Sequence, residues 1–187
     1  MSRGAGLLAP FALALAACGT PSQAIPTCPP AANGDVLILM AQSVPSATVA
    51  PCIAEFPAGW SFGGQRIESG SSEFWLFSDR AGDRAVTVTL TASCDVRGAV
   101  EVPSEADEAG LRRYEEPESL PPAFSGNRYY LFPGGCIRYR FDFQRGGSFA
   151  LVVEATEALS FVSRAEGVEA LRREGLVLCG AGVSCPG

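Results

Sequence analysis

The chain reads as an α+β domain: an antiparallel sheet of about five strands, C-terminal helices packed on one face, and disulfides. Three observations predict it. Residues 85–93 alternate strictly, with Val86, Val88, Leu90 and Ala92 facing one way and Thr87, Thr89, Thr91 and Ser93 the other; period two with β-branched residues marks a half-buried strand. Pro133-Gly134-Gly135 separates two aromatic-rich runs, 128–132 and 136–143, which is a hairpin signal. After Ser148, a good N-cap, Leu151, Ala155, Ala158, Leu159 and Val162 recur at helical spacing and predict a helix over 149–163.

The remaining elements follow in chain order. Residues 35–44 are apolar on nearly all sides and end near Pro45, which predicts a short buried helix, with a buried strand as the competing reading. Residues 60–68 predict a first strand with a bulge or bend at Gly63-Gly64. Residues 72–78, with Phe74, Trp75, Leu76 and Phe77 in a row, predict a strand buried on both faces or at the sheet centre. Asp79 to Asp83 is a turn by composition. Residues 102–122 are acidic and contain proline; they predict a long loop with a helical turn near 106–114. In the second hairpin arm Ile137, Tyr139, Phe141 and Phe143 share a face opposite Arg138, Arg140, Asp142 and Gln144. With Gly134-Gly135 as the turn, Tyr129 pairs with Arg140 and Leu131 with Arg138. Residues 167–173 predict a second short helix closed by Gly175, and residues 176–178 a final strand. The apolar face of the sheet is expected under the helices, and the opposite face carries threonines and arginines.

The N-terminus is not part of that domain. Arg3 is the sole charge before an apolar run from Leu7 to Ala17, the layout of an export signal. The run falls short of the roughly 20 apolar residues a membrane span needs. It ends Leu15-Ala16-Ala17-Cys18, which resembles the lipobox of bacterial lipoproteins. That resemblance implies cleavage before Cys18 and a diacylglyceryl group on its sulfur, with further acylation by chains such as palmitate. One acyl chain holds a protein to a bilayer only marginally, whereas two anchor it stably. The expected organisation is a signal over 1–17, a lipidated Cys18 with a Pro-rich tether over 18–33, and one domain over 34–187. The tether holds Pro21, Pro26, Pro29 and Pro30, an extended and semi-rigid composition. The implied location is the extracytoplasmic face of the cell membrane.

Composition narrows the chemistry. All 14 basic residues are arginine and there is no histidine. Loss of Arg3 with the signal takes the net charge from −6 to −7, the wrong sign for binding nucleic-acid phosphates. Without histidine there is no imidazole general base or Ser-His-type pair; without lysine there is no Schiff base and no phosphate-loop lysine. With Cys18 lipidated, Cys28, Cys52, Cys94, Cys136, Cys179 and Cys185 remain. An even set in an exported chain reads as disulfides. Cys94–Cys136 is the favoured bridge because both lie at strand ends, and Cys179–Cys185 can close a small loop. With no CxxC pair and no histidine, no metal site and no cofactor are expected.

The least bland positive feature is Tyr129, Arg138 and Arg140 on one sheet face, a candidate anion-binding surface through bidentate bonds and stacking. The plainer reading pairs Arg138 and Arg140 with Asp142 or a loop glutamate. Trp60 and Trp75 read as packing residues rather than sugar platforms. Asp79, Asp83, Asp95 and Glu101 are the carboxylates available for glycoside hydrolysis, and Asp79 with Asp83 for calcium. The segment Phe132-Pro133-Gly134-Gly135-Cys136-Ile137-Arg138-Tyr139-Arg140-Phe141 and the stretch Leu159-Ser160-Phe161-Val162-Ser163-Arg164 look like parts of uncharacterised lipoproteins from GC-rich bacteria, a family that implies no specific activity. The functional expectation is a non-enzymatic envelope module binding a partner protein or small ligand. The alternative is a carboxylate-dependent hydrolase of cell-wall glycan.

Overall fold

The computed structural model describes residues 25–28, 35–103, 110–173 and 175. The signal over 1–17, Cys18, most of the tether, the strand expected over 176–178, and Cys179 and Cys185 lie outside these residues. The fold is predominantly β. In chain order it runs α1 (Asp35–Ser43), β1 (Val49–Ile53), β2 (Trp60–Glu68), β3 (Ser71–Ser78), β4 (Gly82–Thr91), β5 (Val100–Val102), β6 (Arg112–Ser119), β7 (Ser125–Phe132), β8 (Gly135–Asp142), α2 (Phe149–Glu157), β9 (Leu159–Ser163) and α3 (Arg164–Arg173). Seven strands form one antiparallel sheet in the order β2-β3-β4-β8-β7-β6-β5, and β1 pairs with β9 in a second sheet.

The large sheet is two antiparallel meanders, β2-β3-β4 and β5-β6-β7-β8, joined where β4 meets β8. The chain leaves β4 and reaches β5 at the far edge, a traverse of four strand spacings or about 19 Å. Cys94, three residues beyond β4, is bridged to Cys136 on β8. This is the pairing that strand-end placement suggests. A second bridge joins Cys28 to Cys52. Around it Thr27 pairs in parallel with Ile53, the Cys28 amide donates to the Ile53 carbonyl (2.9 Å), and the Ile53 amide donates to the Pro26 carbonyl (2.7 Å). Residues 25–28, expected in the tether, are thus built onto the domain.

One face of the sheet feeds the core. Phe74 and Leu76, Val86, Val88 and Leu90, and Ile137, Tyr139 and Phe141 are all buried. They form one cluster with Val36 and Met40 of α1, Val44 just after it, and Leu151, Val152 and Ala155 of α2. Several aromatics meet edge to face, including Tyr130 with Tyr139 at 5.2 Å and Tyr130 with Phe161 at 4.8 Å, a geometry the ring quadrupole favours.

The structure corrects several expectations. The α+β domain of about five strands is a mainly β fold with a seven-stranded and a two-stranded sheet. Residues 72–78 are not buried on both faces: burial alternates, with Trp75 and Phe77 only partly covered. The acidic stretch is not a loop with a helical turn from 110 onward, because residues 112–119 are β6. Its charged side chains hide the strand pattern. The helix from 149 stops at Glu157, and β9 takes Leu159–Ser163. Phe161 and Val162 suit a strand as well as a helix, and pairing with β1 decides the matter. The hairpin turn is Pro133-Gly134, so Phe132 faces Gly135, Tyr129 faces Arg138 and Leu131 faces Cys136. Proline fits the first central position of a type II turn, and Gly134 at φ +78° fits the second. The slip of two residues changes the partners and keeps the faces. The bulge at Gly63-Gly64 is present, as a register shift between Phe62 and Gly64.

Candidate functional site

The outer sheet face is assembled by register. On β8, Arg138 and Arg140 alternate with core residues Ile137, Tyr139 and Phe141. Arg138 faces Thr89 on one side and Tyr129 on the other. Arg140 faces Thr87 and Asn127. The next strand out places Tyr114 beside Tyr129 and Glu116 beside Asn127. The sequence-predicted trio therefore does share a face, but the strand read as a loop delivers carboxylates onto it.

Those carboxylates occupy the predicted anion ligands. Glu118 takes Arg140 in a two-point bridge, Nη1 to Oε1 at 2.8 Å and Nη2 to Oε2 at 3.2 Å. The Tyr129 hydroxyl donates to Glu116 Oε2 at 2.7 Å. Asn127 Nδ2 donates to both glutamates at 3.0 Å. The belt continues to β5, where Arg112 holds Glu101 at 2.8 and 2.9 Å and lies over the Tyr114 ring. Arg138 pairs with no carboxylate among the described residues. It is the one member of the trio for which no hydrogen bond or ion pair is seen among the described residues. Arg140 follows the plainer reading in kind, with Glu118 rather than Asp142 as its partner.

Electrostatics follow from these bonds. The bond from Arg140 holds the Glu118 carboxyl below the usual range, and Arg112 does the same for Glu101. Burial, followed by the bond to Glu116, pushes the Tyr129 phenol up to about 12. Burial also raises Tyr130, and raises Tyr139 furthest. A depressed carboxylate stabilises the fold above its unfolded value, and that stability is lost as pH falls. A raised phenol stabilises the fold below its unfolded value near 10, and that is lost as pH climbs toward 12. The bridged carboxylates are largely solvent-exposed, so the acid limb is shallow. Tyr139 is fully buried, so the alkaline limb is steep. With no histidine or lysine, melting temperature is expected to stay flat from about pH 6 to 9. A melting series from acid to alkali checks this; a step near the usual histidine range contradicts it.

The other candidates are dispersed. Trp75 is sandwiched: its indole lies flat over Gly63-Gly64, where an added Cβ would come within 2.5 Å of the ring. The Arg84 guanidinium covers the other side at 4.1 Å. Arg84 holds φ +51° and bonds Glu73 at 3.0 Å. Trp60 is buried against Phe143 and donates its indole N–H to Glu154 at 3.2 Å. Asp95 is held by Arg97, which lowers it to about 2. Asp79 lies beside Arg80 and Gly59, while Asp83 lines a separate open depression of about 400 Å³ with Arg84, Thr87, Arg140, Asp142 and Gln144. No group of three acidic or cysteine side chains able to hold a metal is present among the described residues. The residues missed from sequence are Tyr114, Glu116, Glu118 and Asn127. Parity places Tyr114 and Glu116 on one face of such a strand, but charge on both faces leaves no polarity signal in the sequence. No protein-family model, curated protein or solved structure matches the chain.

Proposed function

We propose that the protein is an exported envelope module, lipid-anchored at Cys18, that binds a partner protein or small ligand on its outer sheet face and catalyses no reaction. The observation that carries the binding reading is the belt itself. Tyr129, Asn127, Glu116, Glu118 and Arg140 are locked by mutual bonds across three strands, which preorganises a surface at little entropic cost on binding. Arg138 stands within it with its charge uncommitted to a carboxylate. The helices α1 and α2 supply core residues, and in this reading they cover the apolar face; on the other face Tyr129 and Asn127 are buried within the belt, and Arg138, Arg140 and Glu118 are the members that reach solvent.

Export is supported by the Leu15-Ala16-Ala17-Cys18 pattern and by two bridges, which persist in oxidising compartments. No helix among the described residues is long and apolar enough to cross a membrane. The glycan-hydrolase alternative needs a carboxyl that keeps its proton at neutral pH. Of its candidate carboxylates, Asp95 and Glu101 are instead held ionised by Arg97 and Arg112.

The test is affinity capture from detergent-solubilised envelope. Arg138→Ala is expected to lower recovery of an anionic partner about tenfold, the scale of losing one charge-assisted bond. Tyr129→Phe, which removes one of the two bonds to Glu116 and leaves that from Asn127, is expected to lower it less. Equal recovery with both variants removes the belt as the binding face. Fatty-acid labelling of cells, lost in Cys18→Ser, tests the anchor separately.

A further inference from the structure

We infer that the anchored protein docks on the bilayer through an apolar patch made by Phe149 and Val153 of α2 and Leu120 of the adjoining loop. The inference rests on lipid attachment at Cys18 and adds which surface meets the lipid.

Large exposed hydrophobic side chains are few among the described residues, and Leu120, Phe149 and Val153 are among them at 66, 63 and 54 % exposure. Scattered singly they would need no explanation. These are not scattered. Phe149 and Val153 stand one helical turn apart on α2. The Phe149 ring lies 6.0 Å from Phe124, and the Gly147 amide donates to the Pro122 carbonyl, so the loop carrying Leu120 abuts the start of the helix. A groove of about 210 Å³ opens beside them, with Pro117, Phe124, Phe141, Phe149 and Val152 as its apolar lining and Glu115, Glu116, Asn127 and Arg128 as its polar lining.

The leash explains why lipid should cover this patch. Cys28–Cys52 and the bonds between residues 26–28 and Ile53 fix the end of the tether to the body. The neighbouring Ala54 amide donates to the Ala158 carbonyl at 2.8 Å, and Ala158 caps α2. The tether therefore enters beside the C-terminal end of the helix that bears the patch. Residues 18–24 span at most about 25 Å even when fully extended. Phe149 lies about 14 Å along the helix from Ala158, so the patch falls within that reach. A domain of this size has a radius of gyration near 15 Å, so it is wider than its leash is long. Its attachment side meets the bilayer first. Tethering also raises the effective concentration of the patch at the lipid surface, so a small apolar area suffices. The chain is acidic, so contact comes from apolar burial rather than charge and is expected to be insensitive to salt.

Phe149→Trp provides the probe, because the side chain is exposed and the exchange keeps it apolar. The acylated full mature chain is reconstituted into vesicles of phosphatidylethanolamine and phosphatidylglycerol carrying brominated acyl chains. The added indole is expected to shift its emission to shorter wavelength and to be quenched beyond the level set by Trp60 and Trp75, at low and high salt alike. Arg97→Trp, in the link that crosses the opposite sheet face, is expected to show no added quenching. An acylated Phe149→Trp chain that stays unquenched overturns the docking and leaves the anchor standing; a patch covered by a protein partner or a second copy would give that result. A chain with no diacylglyceryl mass on Cys18 overturns the anchor and the docking together.

Discussion

Replacing Cys94 and Cys136 together by serine is expected to lower the free energy of unfolding by about 4 kcal/mol. The bridge closes a loop of 42 residues, and the value is the chain entropy that such a loop withholds from the unfolded ensemble. That loop holds the whole excursion from β4 to the far edge and back through β5, β6 and β7. Losing the bridge frees the start of the crossing link, while the second meander stays paired to β4 through β8. The link itself reaches across the outer face: a Cβ at Gly98 would lie 3.6 Å from Glu116 Oε1 on β6. Urea unfolding checks the prediction. A midpoint that falls with a slope that rises, as the uncrosslinked denatured chain expands, is expected; a loss below about 1 kcal/mol would mean that the serine variant keeps β4 and β8 together when unfolded.

Gly134→Ala is expected to cost about 2–4 kcal/mol, more than any other single-methyl addition in a turn of this protein. Gly134 holds φ +78°, a region that disfavours an L side chain. An added Cβ would also lie 1.9 Å from the carbonyl oxygen of Ser46. That oxygen is backbone and cannot rotate away. Ser46 is in turn tied to the turn by its hydroxyl, which donates to the Gly134 carbonyl at 2.6 Å, and Thr48 donates to the Pro133 carbonyl at 3.0 Å. The hairpin tip is thus docked on the segment between α1 and β1. Gly70→Ala is the comparison: φ is +85° there too, but nothing lies within 4 Å of the added carbon. Thermal melts of the two variants separate backbone strain from collision. Equal losses would show that contact with Ser46 contributes nothing.

The contrast between legible and illegible strands has a physical source. β4 and β8 were readable because each buries one face and wets the other, so alternation is printed in residue type: Val86-Thr87-Val88-Thr89 and Ile137-Arg138-Tyr139-Arg140. β1 is buried along its whole length and contains Pro51. It therefore shows no alternation and carries a breaker. β6 alternates in position but not in polarity, because Arg113 and Glu115, on its core side, are themselves charged. Glu115 bonds Arg128, whose guanidinium is mostly buried, at 2.6 Å. The same blind spot hid half of the candidate site. The faces of Tyr129, Arg138 and Arg140 could be read from parity alone, yet the partners that neutralise Arg140 and Tyr129 sit on the strand that composition disguised.

The meeting of β4 and β8 also dictates the order of events as the chain folds. β4 is made long before β8, and from Ala85 to its end at Thr91 it carries no charge, Asp83 and Arg84 at its start being its only charged residues. Until the fifth, sixth and seventh strands have emerged and turned back, one rim of it stays open and β-prone, with gatekeeping charge at one end alone. A newly made chain therefore passes through a stage in which self-association competes with completion. Pairing of β8 with β4 closes that rim, and the Cys94–Cys136 bridge lies across the same seam.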